Sequence, residues 1–479
     1  MHHRIFTLAD QIAFAELSGD NNPLHIDPVV ARRSLFGQPI VHGVHTLMWA
    51  LDQWLENQNA PVRFQQLRVA FLKPIGLNQT VRFTLVSQQN NRVRIDIFKE
   101  NEIAVRMVFE WLADVSCRFE GVSPVLPEQH PPDFLDMEAV RSCRGSLDLY
   151  LQPETARRLF PNLTRFLSPV QAAVLLGMTR LVGVKCPGLQ SIFSELNLTG
   201  GATGDLKKIK YAVSEFDDRY GLVMMSVTAP GLCGIIKAFV RPQPQSQPAF
   251  LDLKKLVKDA EFAGQRALIV GGSRGLGEVT AKLLAAGGAH VQVTYRMGKS
   301  DAQKVVDEII GGRGQASLCE LDVLQPPNNW AGLMPPTHLY YFASPFISGS
   351  EKTNFSSAQF NTFCNYYVNG FAGVFESLQK LGLRNVFYPS TVFIDERPPN
   401  FLEYAMAKNA GEILCQALGS KYPDICFHSP RLPKMATDQT VSFHSGGNPY
   451  PAPIILAALQ NFKVATVKIM PVSPSLELD

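Results

Sequence analysis

Little in this chain points to disulfides, membranes or nucleic acid. Its 479 residues include only eight cysteines, scattered at Cys117, Cys143, Cys186, Cys233, Cys319, Cys364, Cys415 and Cys426. No Cys-x-x-Cys pair occurs, which argues against a zinc site and for buried free thiols in a reducing compartment. An excess of one charge is also missing. Forty-five Lys and Arg stand against 42 Asp and Glu, leaving a net +3 with no concentrated basic run, too mild a balance to suggest nucleic acid. No secretory signal is visible, because Asp10 and Glu16 interrupt the early sequence. Long apolar runs are scarce as well. The nearest, Gly221–Val240, carries Pro230 and Gly231 at its middle and reads as two strands joined by a turn rather than a membrane helix. No metal-ligand cluster stands out. The expectation is a soluble cytoplasmic protein. With 46% hydrophobic and 18% charged residues it is globular, and at ~150 residues per domain its length predicts about three domains.

What is present begins at Phe14–Pro28, which reads FAELSGDNNPLHIDP. Asp20, Asn22 and His25 gather around Pro23. A carboxylate and an imidazole held by a proline turn can be aimed at one water molecule and share its proton transfers. The next segment, FGQPIVHGVH, places Gly43 at a possible helix start, where a backbone N–H could polarise a carbonyl oxygen. These segments resemble the MaoC-like, or type 2, enoyl hydratase family. Ser18, Gly19, Asp20, Asn22, Pro23, His25, Asp27 and Pro28 fill the first part of its signature, and Pro39, His42 and Gly43 the second. The resemblance implies a hotdog fold, a long helix wrapped by an antiparallel sheet, with Asp20, Asn22, His25 and Gly43 as its catalytic residues.

Three segments follow from patterning. Residues 1–120 place a helix over Gly43–Asn57 and then short alternating runs, RFQQLRVAFLKPI, TVRFTLVSQ, VRIDIF and AVRMVFEWL, that predict strands. Residues 121–241 open with a Pro- and acid-rich stretch. They then repeat the order: an apolar helix over Ser168–Cys186, stopped by Pro187-Gly188, and the runs LQSIFSELNLT, KIKYAVSEF, GLVMMSVTA and GIIKAFVRP. A second hotdog without the acid–base signature is expected, making an α+β double hotdog that would shape an acyl tunnel. Residues 242–261, opening PQPQSQP, read as a linker.

From residue 262 to 479 the pattern changes to α/β. The strand run Arg266–Val270 enters Gly271-Gly272-Ser273-Arg274-Gly275-Leu276-Gly277, a helix follows, and a second strand, HVQVTY, ends at Arg296. Gly271 allows the tight turn, Gly275 admits a pyrophosphate, and Gly277 permits close packing at the helix N-terminus. Ser273 and Leu276 complete the loop. Arg296 stands where an acidic residue would hold the ribose of NAD, and Arg274 could pair with the same 2′-phosphate, so NADP(H) is the expected cofactor. The Gly-x-x-x-Gly-x-Gly spacing resembles the short-chain dehydrogenase/reductase family, which implies a Rossmann-like doubly wound parallel sheet. The resemblance places Tyr404 and Lys408 as its Tyr-x-x-x-Lys, Ser390 (or Thr391) as the hydroxyl partner, Asn369 as the support of a proton relay, and Asp322 near the adenine. Two departures stand out: Phe342-Ala343-Ser344-Pro345 replaces the usual Asn-Asn-Ala-Gly, and Pro430-Arg431 the usual Pro-Gly.

Together the two resemblances imply a bifunctional enzyme of acyl thioesters. A 3-oxoacyl thioester, on coenzyme A or an acyl carrier protein, would be reduced by NADPH and then dehydrated, because the product of one site is the substrate of the other. Two alternatives remain open at this point. The reductase could act alone, with the hotdog part binding an acyl carrier, or it could reduce another ketone such as a polyketide intermediate or nucleotide sugar. Both families commonly associate, so a homo-oligomer through the reductase domain is expected, with no nucleic-acid or membrane partner.

Overall fold

The computed structural model describes residues 2–113, 122–126, 128–201, 207–327, 330, 332–347, 355–442 and 447–469. Cys117 lies outside them. The chain divides into two compact units, Met1–Gln243 and Pro244–Asp479. Among the described residues no helix is long and apolar enough to cross a membrane.

Unit 1 is built on one ten-stranded sheet. Its strands are β1 (His3–Ile5), β2 (Val62–Phe71), β3 (Thr80–Gln89), β4 (Arg92–Lys99), β5 (Glu102–Ala113), β6 (Arg144–Asp148), β7 (Ser191–Gly200), β8 (Lys208–Asp217), β9 (Leu222–Ala229) and β10 (Leu232–Val240). From the centre outwards one half runs β2-β5-β4-β3-β1 and the other β7-β10-β9-β8-β6. The two halves therefore repeat one topology about the antiparallel β2–β7 seam, where Gln66 faces Thr199 and Ala70 faces Glu195. The Gly221–Val240 run is the β9–β10 hairpin, as its central Pro-Gly requires. Period-2 alternation buries one sheet face, seen in Val62, Phe64, Leu67 and Val69 of β2.

That face packs on two central helices, α2 (Gly43–Leu55) and α3 (Pro169–Arg180). After Arg180, α3 continues as a π-helical turn, Leu181–Lys185, and ends at Cys186-Pro187. Pro187 has no N–H to offer the Gly183 carbonyl, and the i→i+5 bond from Cys186 N to Leu181 O (2.8 Å) closes the wider turn instead. A single apolar cluster runs from Phe6 to Ala238 across both halves. The expected boundary near residue 120 therefore divides the sequence pattern but not the core.

Unit 2 carries a six-stranded parallel sheet. Its strands are β11 (Arg266–Val270), β12 (His290–Tyr295), β13 (Gln315–Glu320), β14 (His338–Tyr341), β15 (Asn385–Phe387) and, after the short β16 (Ser390–Thr391), β17 (Cys426–His428). The order β13-β12-β11-β14-β15-β17 reverses between β11 and β14, the doubly wound arrangement that opens a crevice beyond the strand C-termini. Among the described residues β18 (Arg431–Leu432) pairs with β16 alone. The expected linker over 242–261 is a correction. Residues Phe250–Lys254 form a helix whose Phe250 and Leu253 are buried in the core of unit 2. The Pro- and Gln-rich opening hid the helical spacing of Phe250, Leu253 and Val257 behind it.

Candidate functional site

In unit 1, α1 (Leu8–Ser18) ends at Gly19 in the left-handed region (φ 73°), and the chain turns into the Asp20–Asp27 segment. Asn22 caps the one-turn helix Pro23–Ile26 by accepting from Leu24 N at 3.0 Å. This brings Asp20 and His25 together with His42, the residue just before α2, so that one ligand-type atom from each lies within 4.8 Å of the others. The His25 and His42 rings stack at 3.8 Å, and His42 Nε2 is 3.9 Å from Asp20 Oδ2. His25 Nδ1 faces the Ile40 carbonyl at 2.8 Å, which fixes its N–H there and leaves Nε2 as the basic nitrogen. Gly43 opens α2, whose first N–H groups have no intrahelical partner. A Cβ on Gly43 would meet the Phe71 ring at 2.9 Å, so any larger residue would have to displace that ring.

Burial sets the electrostatics. Asp20 is 1% exposed, and desolvation pushes its carboxyl up to about 6 against donors from Thr179 and Asn22. His25 is pushed down to about 4 by burial, opposed by the Ile40 carbonyl. His42 falls well below its ordinary value through burial and the neighbouring His25 and His45. The result is a carboxyl that keeps its proton up to about pH 6 beside an imidazole that has given its proton up above about pH 4. These groups can pass one proton between them without a metal, although one carboxylate and two imidazoles at this spacing could also seat a cation.

The other half of unit 1 supplies much of the support, which motif reading missed. Thr179 of α3 donates to Asp20 Oδ2 at 2.6 Å, across 159 residues of sequence. Asn22 Nδ2 donates to the carbonyls of Gly183 (2.9 Å), Gly188 (3.2 Å) and Leu189 (3.3 Å). Tyr150 donates to Leu17 O at 2.6 Å. The available signal was slight: Thr179 and Gly183 stand in a helix that is mostly aliphatic but also carries Gln171, Gly177 and Arg180.

In unit 2 the glycine loop joins β11 to α4 (Gly275–Ala286). Gly271 and Gly275 have φ of 80° and 58°, the region glycine favours. A Cβ on Gly277 would lie 2.2 Å from Gly271 O, and one on Gly271 would lie 2.9 Å from Ala343 N. Ser273 is buried and Leu276 partly so in this turn. The tight turn and the helix N-terminus fit a dinucleotide's phosphates. Arg296, at the end of β12 and 43% exposed, has Nη1 3.8 Å from Asp322 Oδ2 and 3.2 Å from the Tyr366 hydroxyl. Asp322 also accepts from Leu324 N. Arg274 is engaged in an ion pair beside the loop. Its Nη1 is 2.7 Å from the carboxylate of Asp438, a buried residue that needs a cation.

The residues expected to surround the reacting carbonyl are only partly brought together. Tyr404 and Lys408 lie one turn apart on α5 (Leu402–Lys421). Thr391 hydrogen-bonds to Tyr404, whose hydroxyl burial pushes up to about 12. Lys408 donates to the Pro389 carbonyl at 2.7 Å and sits over the Tyr367 ring at 4.1 Å. Burial pushes its ammonium down to about 7. Desolvation is thus the largest influence on the Tyr404 hydroxyl, and the bond from Thr391 opposes it. Ser390 is a correction: its hydroxyl donates to Glu412, itself paired with Arg431, and strand alternation gives Thr391 the other face. Asn369 is a second correction. It lies exposed in the π-helical turn Asn365–Gly370 and donates to Asn365 Oδ1 at 3.1 Å. The wider turn shifts its face, and Tyr367 is the residue turned inwards, with its hydroxyl 2.6 Å from Ser344 Oγ.

Comparison with known proteins gives the class first. Residues 2–107 match the MaoC like domain family, and residues 265–331 match the short chain dehydrogenase family. The chain thus joins a MaoC-like dehydratase region to a short-chain dehydrogenase region. Among particular relatives, it is 42% identical over 84 residues to the peroxisomal multifunctional enzyme type 2 of Drosophila melanogaster, covering 17% of this chain and 14% of that protein. It is 32% identical over 129 residues to the enzyme of that name from Mus musculus, covering 26% and 17%. It is 46% identical over 56 residues to the (R)-specific enoyl-CoA hydratase of Aeromonas caviae, covering 12% and 40%. Each match thus spans less than half of the relative's length. The chain also resembles the angucycline C-6 ketoreductase LanV solved with bound NADP: 17% identity, 44% of this chain, 93% of that one, TM-score 0.39.

Proposed function

We propose that the chain is a bifunctional enzyme that reduces a 3-oxoacyl thioester with NADPH and dehydrates the resulting 3-hydroxyacyl thioester to the 2-enoyl thioester. In unit 2, Tyr404 gives its proton to the substrate's ketone oxygen, and Thr391 donates a hydrogen bond to that oxygen. The Gly271–Gly277 loop would hold NADPH by its phosphates, with Arg296 at the 2′-phosphate, and the bound cofactor would supply hydride. Lys408 orders the surroundings of Tyr404 through Pro389 and Tyr367.

In unit 1, the basic Nε2 of His25 takes the proton from the carbon beside the thioester. The protonated Asp20 gives its proton to the departing hydroxyl, and Gly43 N–H steadies the enolate-like oxygen. Hydration is the reverse, starting from carboxylate and imidazolium. The observation that carries this reading is the meeting of Asp20 and His25 with burial driving their pKa values in opposite directions, to about 6 and about 4. Similarity to an enoyl-CoA hydratase supports a coenzyme A thioester, with a carrier-protein thioester as the second source. NADPH use supports the reductive direction, in a cytoplasmic setting, and association through the reductase unit belongs to the same reading.

The test compares NADPH oxidation by a short 3-oxoacyl thioester with NAD⁺ reduction by a 3-hydroxyacyl thioester. Faster NADPH oxidation is expected, and the opposite outcome overturns the direction. Asp20→Asn should abolish enoyl formation and leave ketone reduction intact. Unimpaired enoyl formation overturns the hydratase assignment.

A further inference from the structure

Asp20 is held from the half of unit 1 that lacks an acid–base pair. Thr179 Oγ1 donates to Asp20 Oδ2 at 2.6 Å, and both side chains are at most 4% exposed. Asn22 N–H approaches the other oxygen at 3.3 Å. The wall behind the carboxyl is Gly183, where a Cβ would lie 2.1 Å from Asp20 Oδ1. Gly183 sits in the π-helical turn that Pro187 forces on the end of α3, and the carbonyl freed there accepts from Asn22 Nδ2 at 2.9 Å. One stretch, residues 179–189, thus touches Asp20 by a hydroxyl, packs it by a missing side chain, and anchors Asn22 by three carbonyls.

We propose that Thr179 is a positioning residue for the dehydratase reaction: its hydroxyl fixes the orientation of the Asp20 carboxyl toward His25 and the substrate. The proposal rests on the hydratase reading above and gives the second half a chemical task in it. A carboxyl buried without a donor could rotate or turn to the wrong neighbour. With Oδ1 under the Asn22 N–H against Gly183, the short bond from Thr179 fixes the carboxyl plane and holds Oδ2 on the side of the imidazoles, 3.9 Å from His42 Nε2. The same bond opposes the desolvation that raises Asp20, so its loss should move the group's titration further up.

The experiment uses the full chain and compares wild type, Thr179→Val, Thr179→Ser and Asp20→Asn. A short 2-enoyl-CoA is hydrated across pH 4–9 while ketone reduction is followed in parallel. Thr179→Val is expected to lower kcat for hydration ~10-fold or more with KM changed less than ~2-fold, and to shift the pH profile upward. Thr179→Ser should restore both, and reduction should be unchanged in every variant. If wild type hydrates and Thr179→Val matches it in kcat and pH profile, the proposal is overturned while the hydratase reading stands. If wild type does not hydrate, the hydratase reading fails. The Asp20 titration, followed by carboxyl carbon NMR in wild type and Thr179→Val, then still decides the contact. An upward shift supports the positioning bond, and an unchanged titration overturns it.

Discussion

Replacing Asp20 by Asn should stabilise unit 1 in a pH-dependent way while destroying its chemistry. Asp20 is raised from an ordinary 3.8 to about 6 by burial. A raised pKa means the folded unit holds this proton more tightly than the unfolded chain does. The contribution of Asp20 to stability is therefore fully present below pH 3.8 and lost as pH rises through about 6. A shift of ~2 units at 1.36 kcal/mol per unit is ~3 kcal/mol. Asparagine does not titrate in this range, so the stability difference between wild type and Asp20→Asn should change by ~3 kcal/mol between pH 3 and pH 8, in favour of the variant at pH 8. Any fixed offset from altered hydrogen bonds cancels in that comparison. At ~2–4 °C per kcal/mol for a unit of this size, the relative Tm should move by ~6–12 °C. Tryptophan fluorescence suits the measurement, because Trp49, Trp54 and Trp111 lie in unit 1 and only Trp330 in unit 2. A difference that is constant with pH, or that favours wild type more at pH 8, refutes the reasoning.

Other expectations follow from the same contacts. Gly183→Ala puts a Cβ 2.1 Å from Asp20 Oδ1 and should abolish enoyl formation while ketone reduction by the same sample persists. Thr391→Ala should lower kcat for reduction ~10²-fold or more. Ser390→Ala should act less on kcat and more on Tm, because its hydroxyl serves Glu412. Arg296→Glu should cut the NADPH-over-NADH preference in kcat/KM at least ~10-fold. Arg274→Ala should change that ratio less and lower Tm, since it strands the buried Asp438. Dehydration by the free enzyme needs a protonated Asp20 and a neutral His25, so kcat/KM should rise with pH near 4 and fall near 6.

Local features were the legible ones. The strands of both halves follow period-2 runs, and the loop glycines sit between a strand and a helix that announce themselves. Asp20, Asn22 and His25 were readable because eight consecutive residues, closed by Asp27, build their own turn. Long-range contacts were not. Nothing near Asp20 announces Thr179, and nothing near Arg274 announces Asp438, 164 residues away. Asn369 was misplaced because a π-helical turn is a one-residue irregularity that helical spacing cannot register. Ser390 and Thr391 are adjacent on a two-residue strand, so a shift of one exchanges their faces.

The most direct test of two cooperating sites is mass spectrometry of a short 3-oxoacyl-CoA incubated with the full chain and NADPH. The account predicts a product that has gained two hydrogens, followed by one that has also lost a water, with Asp20→Asn stopping at the first. A wild-type reaction that halts at the hydroxyacyl product, or leaves the substrate unchanged, contradicts it.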